Sequence, residues 1–121
     1  MRIVRTFSTE DGGSAAEEIE IETSPVAFVP NRPSMGVSAS ASATDAKFLR
    51  VDPGWDGGWH TTPVEQYLAV LSGGFEVTTT DGRSRKFHAG DLLLLADTTG
   101  KGHHTKMLGD DETWVLAVAL E

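Results

Sequence analysis

The chain has 121 residues, of which 39% are hydrophobic and 23% charged, and a net charge of -8. This composition is ordinary for one folded domain and excludes disorder over the whole chain. The acidic balance repels phosphate backbones and anionic lipid surfaces, so we expect no nucleic-acid or membrane binding, and the absence of cysteine excludes disulfides and zinc–thiolate sites.

The first 46 residues are weakly patterned. The N-terminal stretch MRIVRTFSTEDGG has no apolar leader segment, so we expect a cytoplasmic protein. The segments that follow are a polar stretch predicted as a loop at 8–18, a short alternating strand at 19–22, an extended segment between prolines at 25–30, and a Ser/Ala-rich stretch at 34–46 that is either a linker or a strand.

The second half of the chain is strongly patterned. Short apolar or β-branched runs alternate with turn signals, among them Asp81-Gly82, a dipeptide typical of hairpins. No segment has a convincing helical period, so the pattern predicts an all-β antiparallel sandwich or barrel with a concave mouth for a small ligand. The predicted strands cover 47–51, 66–73, 75–80, 83–87, 92–96, 103–108 and 113–120.

Two of these regions carry the residues that suggest chemistry. Because side chains alternate along a strand, His60 and Thr62 share a face if 58–62 is extended, and a bend at Pro63 can bring Gln66 towards them. Neutral imidazole serves both as a general base and as a metal ligand. The first region is therefore half of a metal site, the polar end of a ligand pocket, or the ordinary polar side of a strand.

The second region is the stretch GKGHHT. If 103–107 is a strand, His103 shares a face with Thr105 and Met107, while His104 points the other way. A shift of one residue in strand register would exchange the two histidines. We therefore expect one histidine of this pair to face the cavity, and we choose His103.

The order WHTTPVEQYLAVLSGGFEV followed by DGRSRKFHAGDLLLLADTTGKGHHT resembles a small single-domain cupin over residues 47–120. The first cupin motif has two histidines separated by one residue, then a carboxylate, then a glycine after a hydrophobic strand. When the motif is aligned on Gly73, His60 falls at the first histidine, Thr62 at the second and Gln66 at the carboxylate. The second motif begins at Gly90-Asp91 and ends in a histidine, matched by His103, with DTTGKG replacing the usual shorter turn.

The resemblance implies a jelly-roll-like antiparallel β-barrel over a single domain, 1–121, often dimeric, with the active centre inside. It implies a small-molecule enzyme with isomerase, cyclase, lyase or oxygenase chemistry, or else a metal-free module that only binds its ligand. His60, Gln66 and His103 are the expected catalytic residues and the expected ligands of a weakly held Fe, Mn, Ni or Zn ion, weak because Thr62 replaces a histidine. The expected pocket-lining residues are Trp59, Thr62, Leu68, Thr105 and Met107.

Overall fold

The computed structural model describes residues 1–121, which form twelve β-strands and no helix. No helix of the length and apolarity needed to cross a membrane is therefore present. The strands are β1 (Arg2–Ser8), β2 (Ser14–Glu20), β3 (Ser24–Val26), β4 (Met35–Val37), β5 (Ala43–Val51), β6 (Asp56–His60), β7 (Gln66–Ser72), β8 (Gly74–Thr78), β9 (Ser84–His88), β10 (Leu92–Ala96), β11 (His103–Met107) and β12 (Thr113–Leu120).

Ten of the strands form two sheets. The larger sheet has the order β2-β1-β10-β7-β12-β5, and the smaller has the order β6-β11-β8-β9. Strands β3 and β4 pair separately as a short two-stranded sheet. The prediction of an all-β, jelly-roll-like fold is confirmed. The two sheets remain open rather than closing into a continuous barrel, and one pair, β1 with β10, is parallel.

The core lies between the two sheets because each contributes one apolar face. On β12 the side chains of Thr113, Val115, Ala117 and Ala119 are buried, and the residues between them are more exposed. This alternation is what a strand with one buried face requires. The packed cluster contains residues of β7, β8, β9, β10 and β12, namely Val70, Phe75, Val77, Phe87, Leu93, Leu95 and Val115.

The N-terminal region differs from its predicted structure. Residues 8–18 were expected to form a loop, but β2 begins at Ser14 and ends at Glu20. The strand predicted at 19–22 therefore overlaps β2 only at Ile19 and Glu20. The strand β1 has no counterpart among the predicted elements, although it lies between β2 and β10. Both strands are rich in charged residues that pair across the exposed face, such as Arg5 with Glu17, and this polarity hides the strand pattern.

Candidate functional site

A cavity of about 160 Å³ opens between the two sheets. Its wall is mostly apolar, because nine of its thirteen residues are hydrophobic and none is Asp, Glu, Lys or Arg. The four polar members are two histidines, a glutamine and a threonine. The lining residues are Leu49, Val51, Trp55, His60, Gln66, Leu68, Phe75, Val77, Leu95, His103, Thr105, Met107 and Val115.

The two histidines face each other across neighbouring strands. His60 ends β6 and His103 begins β11, and the antiparallel register places them directly opposite one another. Their ring centroids are 4.7 Å apart, with the planes inclined at 60°. Opposite residues of an antiparallel pair point to the same side of a sheet. The strand register therefore places both imidazoles on one wall of the cavity.

His103 is held by a buried carboxylate. Its Nδ1 donates to Asp97 Oδ2 at 2.6 Å, and the two side chains are 2% and 0% exposed. The other carboxylate oxygen, Oδ1, accepts a hydrogen bond of 2.6 Å from the hydroxyl of Thr6. With Nδ1 engaged, Nε2 is the ring nitrogen left for the cavity. A buried carboxylate on Nδ1 fixes the orientation and tautomer of an imidazole.

The loop before His103 is fixed at Gly102, which has a φ of 75°. A Cβ at this position would collide with the backbone carbonyl of His60, so only glycine allows β6 and β11 to approach this closely. The carbonyl of Gly102 accepts a 2.6 Å hydrogen bond from the buried hydroxyl of Ser14. The amide N–H of Thr62 donates to the backbone carbonyl of Asp97 at 3.2 Å. The loop is thus tied to the first strand pair and to the segment after β6.

His60 and Gln66 are also oriented by local hydrogen bonds. The Nδ1 of His60 donates to the carbonyl of Gly58 at 3.1 Å, because a carbonyl can only accept. The amide nitrogen of Gln66 donates to the hydroxyl of Thr62 at 3.0 Å, and that hydroxyl donates to the carbonyl of Val64 at 2.6 Å. His60 Nε2 and Gln66 Oε1 have no such partner within the protein. The cavity wall therefore carries oriented nitrogen and oxygen acceptors.

Six of the residues expected at the site line this cavity: His60, Gln66, Leu68, His103, Thr105 and Met107. Thr62 does not line it, because its hydroxyl turns to the backbone and its side chain is buried beside Gln66. Trp59 does not line it either. As the neighbour of His60 on β6, it points to the opposite face, where its ring lies 5.8 Å from that of His104 and 4.6 Å from Lys101 Nζ.

The strand parity also separates the two adjacent histidines. His103 lines the cavity, whereas His104 points outward and its Nε2 lies 2.9 Å from Asp56 Oδ1. The reason is the period of two along β11.

Seven apolar residues line the cavity besides the six expected ones, and two polar residues, Thr6 and Asp97, support His103 from behind. Among the seven, Trp55 borders the cavity while remaining 46% exposed. Asp97 is the first residue after the buried strand LLLLA, and a carboxylate in that position was a usable signal. Thr6 had none, because its contact with Asp97 spans 91 positions in the chain.

The clearest carboxylate pKa shifts lie away from this cavity. In the turn between β8 and β9, the hydroxyl of Thr79 donates to Asp81 at 2.6 Å and the N–H of Arg83 donates to the same oxygen at 3.1 Å. These hydrogen bonds, that of Thr79 first, hold the pKa of Asp81 below its ordinary value. Asp81 is exposed. This carboxylate therefore affects the hairpin and not the chemistry of the cavity.

The polar groups of the cavity fit a divalent metal by type but not by charge. Metal-bound histidines generally donate their other ring N–H to a carboxylate or carbonyl, and both His60 and His103 do so. Together with Gln66 Oε1 they offer two imidazole nitrogens and one amide oxygen. No group of three or more His, Cys, Asp or Glu side chains is placed to hold a metal. All three donors are neutral, so they would hold a cation weakly.

The family profile described as "Cupin domain" matches residues 47–119, more than half of the chain. The chain therefore belongs to the cupin family, as the order of its two motifs predicts. No curated protein matches it.

Solved structures share this fold at low sequence identity. A Cupin 2 conserved barrel domain protein from Salinispora arenicola matches with a TM-score of 0.54 and 21% identity, over 84% of this chain and 76% of that one. A predicted oxalate decarboxylase from Thermotoga maritima matches with 0.52 and 19%, over 84% and 93%. The polyketide cyclase RemF from Streptomyces resistomycificus matches with 0.54 and 21%, over 66% and 56%. These similarities describe the fold alone.

Proposed function

We propose that this cupin is a small-molecule enzyme whose reaction moves a proton between the substrate and the two histidines of the cavity. The observation that carries the proposal is the buried hydrogen bond from His103 Nδ1 to Asp97, behind a ring that packs against His60. Many isomerisation, cyclisation and lyase reactions need such a transfer. Proton transfer by a positioned histidine contributes about 10²–10⁴-fold to a rate.

In this mechanism His103 is the base. Its Nε2 takes a proton from the bound molecule, and the carboxylate of Asp97 stabilises the imidazolium that forms, because opposite charges attract strongly where water is excluded. The proton then passes from Nε2 of His103 to Nε2 of His60, whose ring centroid lies 4.7 Å away, and from there to a second atom of the substrate. Both imidazoles end in the protonation state in which they began. Gln66 orients the substrate by accepting a hydrogen bond at Oε1. A ligand that fills the cavity would displace water from His103, whose side chain is 2% exposed, whereas His60 remains exposed at the rim.

The proposal has a second form, in which the same three side chains also bind a divalent metal ion. His60, His103 and Gln66 would hold the ion through Nε2, Nε2 and Oε1. When bound, the ion supplies Lewis acidity towards a substrate oxygen and gives access to oxygenase chemistry. The roles of Asp97 and Gly58 are then unchanged, since they orient the imidazoles in either case.

The alternative function is a binding module without turnover. Two observations favour it. The cavity wall is mostly apolar and lacks any charged side chain. The hydroxyl of Thr62 donates to the backbone instead of facing the cavity. Such a pocket would hold a small molecule by burial of apolar surface alone.

The protein also acts as a homodimer in this proposal. The strand β5 is the edge of the larger sheet, pairing only with β12, and its Phe48 is 66% exposed. An exposed edge strand with a large apolar side chain is a ready surface for pairing with another chain. Leu49 and Val51 of the same strand line the cavity, so the second subunit would border the site.

The base-promoted ring opening of 5-nitrobenzisoxazole tests the enzyme proposal without knowledge of the substrate. A base removes the ring C–H proton, the N–O bond breaks, and a coloured phenolate forms. We expect the wild-type protein, purified without a His-tag, to accelerate this reaction, and His103→Ala to lose most of the acceleration. Tyr67→Phe is the matched control, since Tyr67 lies on the face of β7 that does not line the cavity.

Three results separate the forms of the proposal. Acceleration that persists after treatment with a chelator supports the metal-free enzyme. Acceleration that needs added metal, with stoichiometric metal lost in His60→Ala, supports the metal-assisted form. A wild-type rate no greater than that of the His60→Ala/His103→Ala double variant contradicts both and leaves the binding module.

A further inference from the structure

The cavity also indicates which molecules it accepts. We infer that its ligand is an uncharged, single-ring molecule that donates a hydrogen bond through a phenolic or enolic hydroxyl. This inference deepens the proposed function and rests on the same cavity. It follows from three independent properties of the wall: its volume, its lack of charge, and the direction of its hydrogen bonds.

The volume limits the ligand to about one ring. The cavity holds about 160 Å³, and an apolar cavity of about 150 Å³ accommodates benzene. The side chains of Phe75, Val77, Leu95 and Val115 close its inner end and belong to the packed core or border it directly. The open side is bordered by Leu49 and Trp55, which are 38% and 46% exposed. A second ring, such as the nitrobenzene ring of the isoxazole probe, would therefore extend towards solvent past these two residues while the first ring occupies the cavity.

The charges near the cavity all point away from it. On β11, Lys106 alternates outward and lies 3.4 Å from Glu76. Lys101 covers the outer face of Trp59, and Asp56 pairs with His104 on the same outer side. Asp97, the nearest carboxylate to His103, is 0% exposed and has both oxygens engaged. A carboxylate or phosphate entering the cavity would lose its hydration and meet no fixed cation, which is costly.

The hydrogen bonds within the wall leave more acceptors than donors facing the ligand. The ring N–H of His60 is given to Gly58, that of His103 to Asp97, and an amide N–H of Gln66 to Thr62. What remains towards the ligand is Nε2 of each imidazole, Oε1 and one N–H of the glutamine, and the Thr105 hydroxyl, which can donate or accept. A ligand that displaces water from an acceptor without pairing it costs about 1–3 kcal/mol. The complementary ligand therefore brings a hydroxyl, because a ligand that only accepts leaves the imidazole nitrogens unpaired.

Calorimetric titration with three molecules of matched shape tests this inference at pH 8, where a phenol is neutral and a benzoate-type acid is ionised. The probes are p-cresol, which is neutral and donates, toluene, which is neutral and does not, and p-toluate, which is anionic. We expect p-cresol to bind about ten-fold more tightly than toluene, as the hydrogen bond predicts, and p-toluate to bind more weakly than either. Gln66→Leu should reduce the preference for p-cresol over toluene several-fold, and the control Tyr67→Phe should not.

The inference is overturned if p-toluate binds most tightly, if toluene and p-cresol bind equally, or if none of the three binds. Because the titration involves no turnover, its failure is distinct from failure of the enzyme proposal. Wild-type acceleration of the isoxazole reaction with no preference for p-cresol would retain the proton-transfer chemistry and reject this ligand class. The p-cresol preference with no acceleration would retain the ligand class and reject the enzyme.

Discussion

Asp97 accepts a 2.6 Å hydrogen bond from His103 Nδ1 in a place that water does not reach, and Thr6 donates to the same carboxylate. The carboxylate lies behind the imidazole and outside the cavity, so it acts on a substrate only through the ring. A second carboxylate–histidine pair, Asp56 with His104, lies on the outer face of the same strands with Asp56 56% exposed. The two pairs allow the effect of burial to be separated from the effect of charge.

We predict that Asp97→Asn abolishes base reactivity while the protein still folds. An amide can donate to Nδ1, which moves the remaining ring proton to Nε2 and removes the base from the cavity. The rate of the isoxazole reaction should fall by about 10²-fold or more, and urea unfolding should show a loss of about 1–3 kcal/mol. Asp56→Asn should change the rate little and the stability by less than about 1 kcal/mol. Equal rate losses in the two variants would contradict a positioning role for Asp97.

The glutamine at position 66 is predicted to limit metal affinity. Gln66→Glu keeps the shape of the side chain and adds the negative charge that the donor set lacks. We expect the affinity for Zn²⁺ or Ni²⁺, measured by calorimetry, to rise at least about ten-fold, one decade being about 1.4 kcal/mol. The gain should vanish in His60→Ala/Gln66→Glu. An undiminished gain in the double variant would mean that the ion binds the new carboxylate elsewhere.

Phe48 on the edge strand β5 is predicted to stabilise the homodimer. Phe48→Glu places a charge on the exposed apolar surface, and like charges at a two-fold interface repel each other. Sedimentation velocity should show a shift from dimer towards monomer. Phe28→Glu is a matched control, since Phe28 is 61% exposed but lies between β3 and β4. A wild-type monomer at all concentrations would exclude this interface, as would a dimer unaffected by Phe48→Glu.

The turn at Asp81 is predicted to make the stability of the fold pH-dependent. The Thr79 hydroxyl, followed by the N–H of Arg83, lowers the pKa of this carboxyl from its ordinary value of 3.8. The ionised form is thus favoured in the folded state, so its contribution is fully present above pH 3.8 and is lost as the pH falls through the lower folded value. Urea unfolding at pH 7 and at lower pH should show a smaller decline for Asp81→Asn than for the wild type. Asp110→Asn, at an exposed position, is the control and should decline as the wild type does. A decline in Asp81→Asn as large as that of the wild type would contradict the prediction.

The alternation of apolar residues predicts most of the strands from residue 47 onwards, because those strands bury one face against the other sheet. The face shared by His103, Thr105 and Met107 follows from the same period of two. The first strands are not predictable in this way. In β2 only Ser14 is buried, and it contacts Thr80 and Gly102 through hydrogen bonds instead of belonging to an apolar face. The outward residues of β2 are glutamates that bind arginines.

The supporting residues of the site are harder to predict than the residues that face it. Asp97 and Thr6 meet because β1 pairs in parallel with β10, with Thr6 opposite Leu95 and Phe7 opposite Ala96. Parallel pairing needs a long connection and leaves no local turn signal. Trp59 precedes His60 on β6 and therefore faces the other side of the sheet. Thr62 lies beyond the end of β6 at His60, where strand alternation no longer applies.

The pairing of β1 with β10 has a consequence for how this protein can be divided. The family profile begins at residue 47, yet Thr6 contacts the carboxylate that orients His103, and Ser14 anchors the loop that precedes it. A fragment from residue 47 onwards would expose the edge of β10 and leave Asp97 open to water. Transferring the two motifs into another scaffold would therefore carry His60 and His103 without the buried contacts that orient His103. The hairpin of β1 and β2 would have to be transferred with them.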